Sequence, residues 1–351
     1  MTNDLLYISL KNDIMRRINE GIYNDGDVIP AERILADQYK MSRVTVRKAL
    51  DSLEKEGIVR RTVGKGTTVS LNWQSYNGTL DIIAFVAPAQ RIFFATFIDY
   101  FQKIADENNS LVVFIQQSEH ESIEDTLFKL LQRNIHNAVI WLDYKILDPR
   151  YIRRLRGLGM NLVFFDITVN TPFADCVYLD NYDSISALYQ YVMENGSKSV
   201  VYVTRENTGP SSFQERNQTF KELSPMGVIW NFPWDFKNAL ANKPDDFIFE
   251  HLCPKYRPKS IICSDGEMGI ALKKELIARN IDDVLLVSVD DFEECEELGI
   301  TVYKQPYDRF AQKIYECFKE QNYRLNWKAG MYRLKGELVI RDQRSVQKSK
   351  E

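Results

Sequence analysis

Histidine is nearly missing from this 351-residue chain: His120, His136 and His251 are the only three, and they are scattered. Histidine-based metal sites and imidazole acid-base catalysis therefore have little to be built from. The five cysteines, Cys176, Cys253, Cys263, Cys295 and Cys317, are odd in number and widely spaced, with no C-x-x-C pair. That pattern argues against a disulfide framework or a zinc site and for reduced thiols in a cytosol. No apolar run is long enough to suggest a membrane span. The opening MTNDLLYISLKND carries acids where a signal peptide needs an apolar core, so a cytoplasmic location is expected. Also lacking are a Walker loop, a G-x-S-x-G elbow, a dinucleotide G-x-G-x-x-G, a histidine-centred triad and any internal repeat. Their absence disfavours an enzyme, and no cofactor or metal is expected.

What is present is an ordinary globular composition, 44% hydrophobic and 27% charged, in a chain long enough for two or three domains. The net charge of -4 conceals a local excess of the opposite sign. Between Lys40 and Lys65 stand Lys40, Arg43, Arg47, Lys48, Lys55, Arg60, Arg61 and Lys65, against Asp51, Glu54 and Glu56 alone. The rest of the chain is correspondingly acidic, so a nucleic-acid footprint, if there is one, lies here.

From Leu5 to Ile22 the apolar Leu6, Leu10, Ile14, Met15 and Ile18 recur at helical spacing, and Gly21 ends the run. Asn24-Asp25-Gly26 is a turn signal. Pro30 opens a second helix with Glu32 in its first turn and Ile34, Leu35 and Tyr39 as core candidates. Ser42 is a natural N-cap for a third helix to about Lys55, whose core face is Val46, Ala49, Leu50 and Leu53. Past Gly57, residues 58–63 read as a strand, Gly64-Lys65-Gly66 as a tight turn and Thr67-Thr68-Val69 as the returning strand. On the third helix Arg43, Thr45, Arg47 and Lys48 fall outside the core stripe, where a recognition helix presents side chains to the major groove. A guanidinium there can bridge guanine O6 and N7 or clamp phosphate, and a solvated helix face is the plain alternative.

Beyond a polar connector, short β-branched runs alternate with helical segments: residues 82–86, 111–115, 138–141, 162–165, 199–203, 227–229, 260–263 and 285–289. Alternation of this kind predicts parallel sheets with helices on both faces, and eight runs exceed one small sheet. The expected layout is an α+β winged helix-turn-helix head at 1–70, a linker at 71–79, a two-lobed α/β domain at 80–345 and a tail at 346–351.

Residues Ile29 to Asp37, Met41 to Leu50 and Glu56 to Val69 closely resemble the GntR family of winged-helix regulators. The resemblance implies a homodimer on double-stranded operator DNA, with Arg33 and Arg61 added to the contacts, Ser42 capping, and Gly64, Lys65 and Gly66 forming a wing tip at the minor groove. From about Thr79 to Ser345 the chain resembles the effector domain of lactose- and galactose-repressor proteins, itself similar to periplasmic sugar-binding proteins. Its landmarks include Val177-Tyr178-Leu179-Asp180-Asn181, Glu215-Arg216-Asn217, Cys263-Ser264-Asp265, Ser288-Val289-Asp290-Asp291 and Lys304-Gln305-Pro306. A GntR head on such a body resembles the arabinose-repressor subgroup. The implied function is a repressor of carbohydrate-utilisation genes, released by a small effector between the lobes: a sugar, or as alternatives a purine or a sugar phosphate, or a pocket that has degenerated. Effector contacts implied in this way are Asp183, Arg216, Asp265 and Asp290, with Phe93, Phe94 and Trp234 offering flat apolar surface. Helix capping is the alternative role for the three aspartates, and packing for the three aromatics. Ser264 replaces a frequent asparagine, Thr219 a glycine, and Gly196-Ser197 a glycine-histidine turn.

Overall fold

The computed structural model describes residues 3–71, 80–87, 92–117, 121–142, 147–195, 199–206, 211–232, 258–323 and 326–341. Trp234, the Gly196-Ser197 turn, the tail and most of the expected linker lie outside them.

The head is built from α1 (Asn3–Asn19), β1 (Val28–Ile29), α2 (Glu32–Tyr39), α3 (Arg43–Lys55), β2 (Val59–Thr62) and β3 (Gly66–Val69). Leu10, Ile14, Ile18, Leu35, Val46, Ala49, Leu50 and Leu53 are buried, so the apolar stripes of the three helices close on one core. The wing is antiparallel, ordered β1-β3-β2, with Thr62 opposite Gly66.

The first lobe follows: β4 (Ile82–Ala87), α4 (Ile92–Glu107), β5 (Leu111–Gln116), α5 (Ile123–Gln132), β6 (Asn137–Ile140), α6 (Pro149–Gly157), β7 (Asn161–Phe165) and β8 (Asp175–Leu179). The second contains α7 (Asn181–Asn195), β9 (Val200–Arg205), α8 (Ser211–Leu223), β10 (Val228–Phe232), β11 (Ser260–Cys263), α9 (Gly266–Ala278), β12 (Leu285–Val289), α10 (Glu293–Glu297) and β13 (Thr301–Lys304). The chain then returns: α11 (Tyr307–Tyr323) packs on α4 and β7 of the first lobe, and β14 (Met331–Leu334) pairs with β8. It crosses once more to β15 (Glu337–Val339), which pairs with β13.

Two six-stranded sheets result, ordered β14-β8-β7-β6-β4-β5 and β10-β9-β11-β12-β13-β15. All their pairings are parallel except β13 with β15, as the expected parallel sheets require, with one antiparallel strand added at an edge. An antiparallel edge arises because β15 enters by a short turn from the other lobe and not through a crossover helix. The central strands β6, β7, β8, β9 and β11 are buried along their whole length, as sheets covered by helices on both faces require. A cluster of rings fills the first lobe; Phe97 stacks on Phe165 at 4.1 Å between centroids and Phe85 meets Phe94 edge-on at 5.8 Å. Such pairs add about 0.5–1.5 kcal/mol each beyond area burial. The cluster also fixes α4, whose start borders the space between the lobes.

Candidate functional site

Two places carry chemistry. In the head, Ser42 has extended backbone (φ -67°, ψ 147°) and its Oγ accepts from Thr45 N at 3.1 Å, which starts α3. Arg43, Arg47 and Lys48 are exposed on the helix beyond the cap, and Arg33 is exposed on α2. Arg47 is steered by Glu32, whose carboxylate accepts from Nη2 at 2.9 Å and Nε at 3.3 Å. Lys48 stands 4.2 Å from the centre of the Tyr7 ring. At the wing tip Gly64 and Gly66 have φ +80° and +83°, a conformation that disfavours any side chain, and Lys65 between them is exposed.

Two expectations for the head are corrected. Thr45 is 4% exposed: one turn before Ala49 it shares the inward stripe, and its hydroxyl pairs with Ser42 Oγ at 2.8 Å. Arg61 turns back onto α3, where Asp51 takes its guanidinium and Glu54 accepts its backbone N–H at 3.0 Å. It braces the wing against the helix and stays half-exposed, with its guanidinium engaged by Asp51. Val44, passed over as apolar, is 77% exposed beside Arg43 and offers a surface for a thymine methyl.

The second place is the cleft between the lobes, at the carboxyl ends of both sheets, where open α/β sheets bind ligands. Phe93, Phe94, Arg216, Asp265 and Asp290 all line it, together with Trp141, Asp166, Arg205, Phe213, Glu267, Phe292 and Gln305. Phe93 reaches it by stacking on Phe165 at 5.7 Å, and Phe94 by meeting the Trp141 ring edge-on at 4.8 Å. Asp166 follows β7 and Asp290 follows β12; both have left-handed backbone, φ 55° and 73°, which aims one carboxylate from each lobe into the gap.

Arg216 is the hub. It is 2% exposed; Nε donates to Asn181 Oδ1 and Nη1 to Ser264 O, each at 2.7 Å. Asp265 is held by Arg205 at 2.9 and 3.0 Å and also caps α9 by accepting from Met268 N at 3.0 Å. Asp290 receives Gln305 Nε2 and, at 3.2 Å, the Gly266 N–H that opens α9. Gly266 has to be glycine, since a Cβ there would lie 2.7 Å from the Phe292 ring and 3.0 Å from Asp290 Cβ.

These partners set the charges. Burial pushes the Asp166 carboxyl up to about 6 against the pull of Arg216, and the Asp290 charge adds to the rise. Asp290 is raised for the same reasons, burial first, with Asp265 as its like-charged neighbour. Asp265 is buried too, which pushes it up, yet Arg205 holds it below the usual carboxylate range. Four buried polar atoms of the lining, Trp141 Nε1, Asp166 Oδ1, Arg216 Nη2 and Gln305 Oε1, make no well-formed hydrogen bond in the protein, although the Trp141 N–H lies close enough to the Asp166 carboxylate to help stabilise its charge. The cavity between them is about 50 Å³. Small-molecule sites run to roughly 300–1,000 Å³, so a ligand enters only as the lobes part.

Asp183 is not brought to the cleft. Its carboxylate takes Tyr303 Oη and Lys335 Nζ, both at 2.5 Å, and ties the first turn of α7 to the strands where the chain crosses between lobes. Its expected role as an effector contact is corrected to that of a strut. Asp166, Trp141, Arg205, Phe213, Glu267, Phe292 and Gln305 are added by the structure; the sequence carries a signal for Trp141, the last residue of a β-branched run, and for Asp166 and Arg205, polar residues just past one. Among the described residues no group of His, Cys, Asp and Glu is placed to hold a metal ion, and no helix is long and apolar enough to cross a membrane. Cys176, Cys263, Cys295 and Cys317 are buried and unpaired.

A winged helix-turn-helix joined to a two-lobed cleft of this topology defines a class, a GntR-type head on a body with the periplasmic-binding-protein-like fold of LacI-type regulators. The comparisons agree with that class piece by piece. Residues 6–69 match the family described as "Bacterial regulatory proteins, gntR family". The same region is 40% identical over 68 residues to the "Probable fructoselysine utilization operon transcriptional repressor" of Escherichia coli (strain K12), covering 19% of this chain and 28% of that protein. The chain thus matches less than a third of the length of that curated relative. The remainder is similar in fold to a periplasmic binding protein/LacI transcriptional regulator from Alkaliphilus metalliredigens QYMF complexed with D-xylulofuranose, with TM-score 0.64 and 14% identity over 75% of this chain and 98% of that one. It is also similar to a dimeric Lac repressor with an 11-residue C-terminal deletion, with TM-score 0.62 and 15% identity over 75% and 98%.

Proposed function

We propose that the protein is a cytoplasmic, homodimeric transcription regulator that represses carbohydrate-utilisation genes and releases its operator when an uncharged sugar enters the cleft. The observation that carries the ligand class is the set of buried polar atoms that the protein leaves without a well-formed hydrogen bond. Trp141 Nε1 and Arg216 Nη2 are donors, while Asp166 Oδ1 and Gln305 Oε1 are acceptors. A hydroxyl group does both, so a ring bearing several can pair with all four, with Phe93 and Phe213 flanking its less polar face. A sugar phosphate fits less well, since its charge would meet Asp166, Asp265, Glu267 and Asp290 with only Arg205 and Arg216 to offset them. The D-xylulofuranose of the structural relative belongs to the same chemical class.

For the head, Arg33, Arg43, Arg47 and Lys48 supply base or phosphate contacts from the helices, and Lys65 enters the minor groove from the wing. Ligand and head communicate as a two-state equilibrium, and a near-complete switch needs about 5.5 kcal/mol of differential ligand affinity. The test pairs two measurements on the full chain. A duplex is selected from a random library, and neutral pentoses and hexoses, their phosphates and purines are screened for a rise in melting temperature. A neutral sugar is expected to raise it and to weaken binding to the selected duplex. Stabilisation by the phosphates alone, or by a sugar that leaves duplex affinity unchanged, contradicts the proposal.

A further inference from the structure

The head does not stand apart from the body. It rests on the first lobe: α1 packs on both α5 and α6, and α6 also meets the turn after α1 and the chain leaving the wing. Arg153, Arg154 and Gly157 occupy one face of that helix at three- and four-residue spacing, turned toward the head. Arg153 Nη2 lies 3.4 Å from Asp25 Oδ2, while the other oxygen of the same carboxylate accepts from Leu71 N at 2.9 Å. One aspartate in the turn after α1 thus holds both the chain leaving the wing and the first lobe. Leu71 is 5% exposed and seats on Gly157, where an added Cβ would come within 2.5 Å of Leu71 Cβ. Gly21, with φ +78°, makes the matching approach to Arg154, and a Cβ there would meet Nη1 at 2.8 Å.

The opposite face of α6 is buried in the lobe. Ile152 and Leu155 are fully buried, and Arg156, 3% exposed, donates to Asn161 Oδ1 and, at 3.0 Å, to Gln321 O. Asn161 is the first residue of β7, and Asp166 in the cleft directly follows the last. One strand therefore runs from the helix that holds the head to the carboxylate that lines the cleft. It has five residues, is buried throughout and is paired on both sides, so its two ends move together.

We propose that α6 positions the DNA-reading head: the contacts of Arg153 with Asp25 and Gly157 with Leu71 make the head a rigid extension of the first lobe. Lobe movement then re-aims α3 directly and does not act through a free tether. The consequence for DNA rests on the regulator reading above; the docking itself does not. An ion pair as exposed as Arg153 with Asp25 holds little alone, and the apolar seat of Leu71 on Gly157 carries most of the docking.

The experiment uses the full chain and Gly157→Leu. The atoms nearest a new Cβ all belong to Leu71, so the larger side chain displaces the head and not the lobe core. Small-angle scattering is expected to give a compact profile for the wild type, a larger maximum dimension for Gly157→Leu, and a return to compactness in Gly157→Leu/Leu71→Gly, where the two sizes are exchanged. On a library-selected duplex with two half-sites, shifting their spacing by about 5 base pairs, half a helical turn, should weaken the wild type by roughly tenfold and Gly157→Leu far less. Identical scattering from wild type and a folded Gly157→Leu overturns the proposal, as does an extended wild type. If Gly157→Leu fails to fold, Leu71→Asp decides, because it removes the apolar seat from the head's side and leaves α6 untouched: an extended profile supports the docking, and a folded variant as compact as the wild type overturns it. A wild type that captures no duplex sinks the regulator reading and leaves the scattering result standing.

Discussion

The two candidate sites use the same chemical group in opposite ways. Arg43 stands in solvent on α3, whereas Arg216 is 2% exposed and hydrogen-bonded to Asn181 and Ser264. A solvated guanidinium costs the fold almost nothing and contributes only when a partner arrives. A desolvated one is part of the fold, because its neighbours were buried on the understanding of its charge. The head can therefore lose its reading residues and remain folded, while the cleft cannot be emptied of polar groups without loosening the lobes that form it.

The widest separation of the two regions should come from Arg216→Met. It leaves Asn181 Oδ1 and Ser264 O without their donor and removes the cation that opposes Asp166 and Asp290. Breaking a buried, hydrogen-bonded charge in this way costs about 3–5 kcal/mol. Urea denaturation of the full chain should show that loss; a change below about 1 kcal/mol would mean that the residue is better solvated than its burial indicates.

Next in size is a pH effect confined to the cleft. Folding raises the Asp166 carboxyl to about 6, above its ordinary value, so in this window the folded chain binds more protons than the unfolded one. The stability tied to its protonated form is present at low pH and is lost as pH rises toward and through 6. Asp175, also raised to about 6 by burial, acts in the same direction, while half-buried His136, whose value is lowered by desolvation, opposes it. The informative quantity is therefore the difference between wild type and Asp166→Asn. Between about pH 4 and about pH 6 the wild type should lose more stability than the variant, by on the order of 2 kcal/mol. Parallel pH profiles would place Asp166 in contact with solvent.

The regions also differ in how far the sequence disclosed them. Every element of the head lies within seventy residues, and its signals are local: a cap at Ser42, a stop at Gly57, a glycine-flanked Lys65. What failed there was side-chain direction. Thr45 sits at the edge of the core stripe, one turn before Ala49, and the cap bond to Ser42 holds it inward, while Arg61 is turned by the acids Asp51 and Glu54 on the neighbouring helix. The cleft draws on residues from Phe93 to Gln305, and its assembly depends on three crossings between the lobes. The last of those crossings joins the short strands β14 and β15, whose alternating or partial exposure gives no β-branched run to notice. Asp183 and Asp290 are alike in local sequence, each near another acid at the start of a helix or loop. One was claimed by Lys335, 152 positions away, and the other by Gln305, and no local pattern separates the two fates.

The smallest expected effect on stability is the most telling about the head. Ser42→Ala removes the acceptor of Thr45 N and should cost about 1 kcal/mol, whereas Arg43→Ala, one residue on, should stay within about 0.5 kcal/mol of wild type. On the selected duplex the order should reverse. Arg43→Ala removes a charge that lies on the outward face, so binding should fall by about tenfold or more and the salt dependence should become shallower. Ser42→Ala should weaken binding only to the extent that it frays the first turn of α3. Were the two variants to bind equally well, the residue after the cap would be a bystander, and the outward face of α3 would hold no more than an ordinary solvated charge.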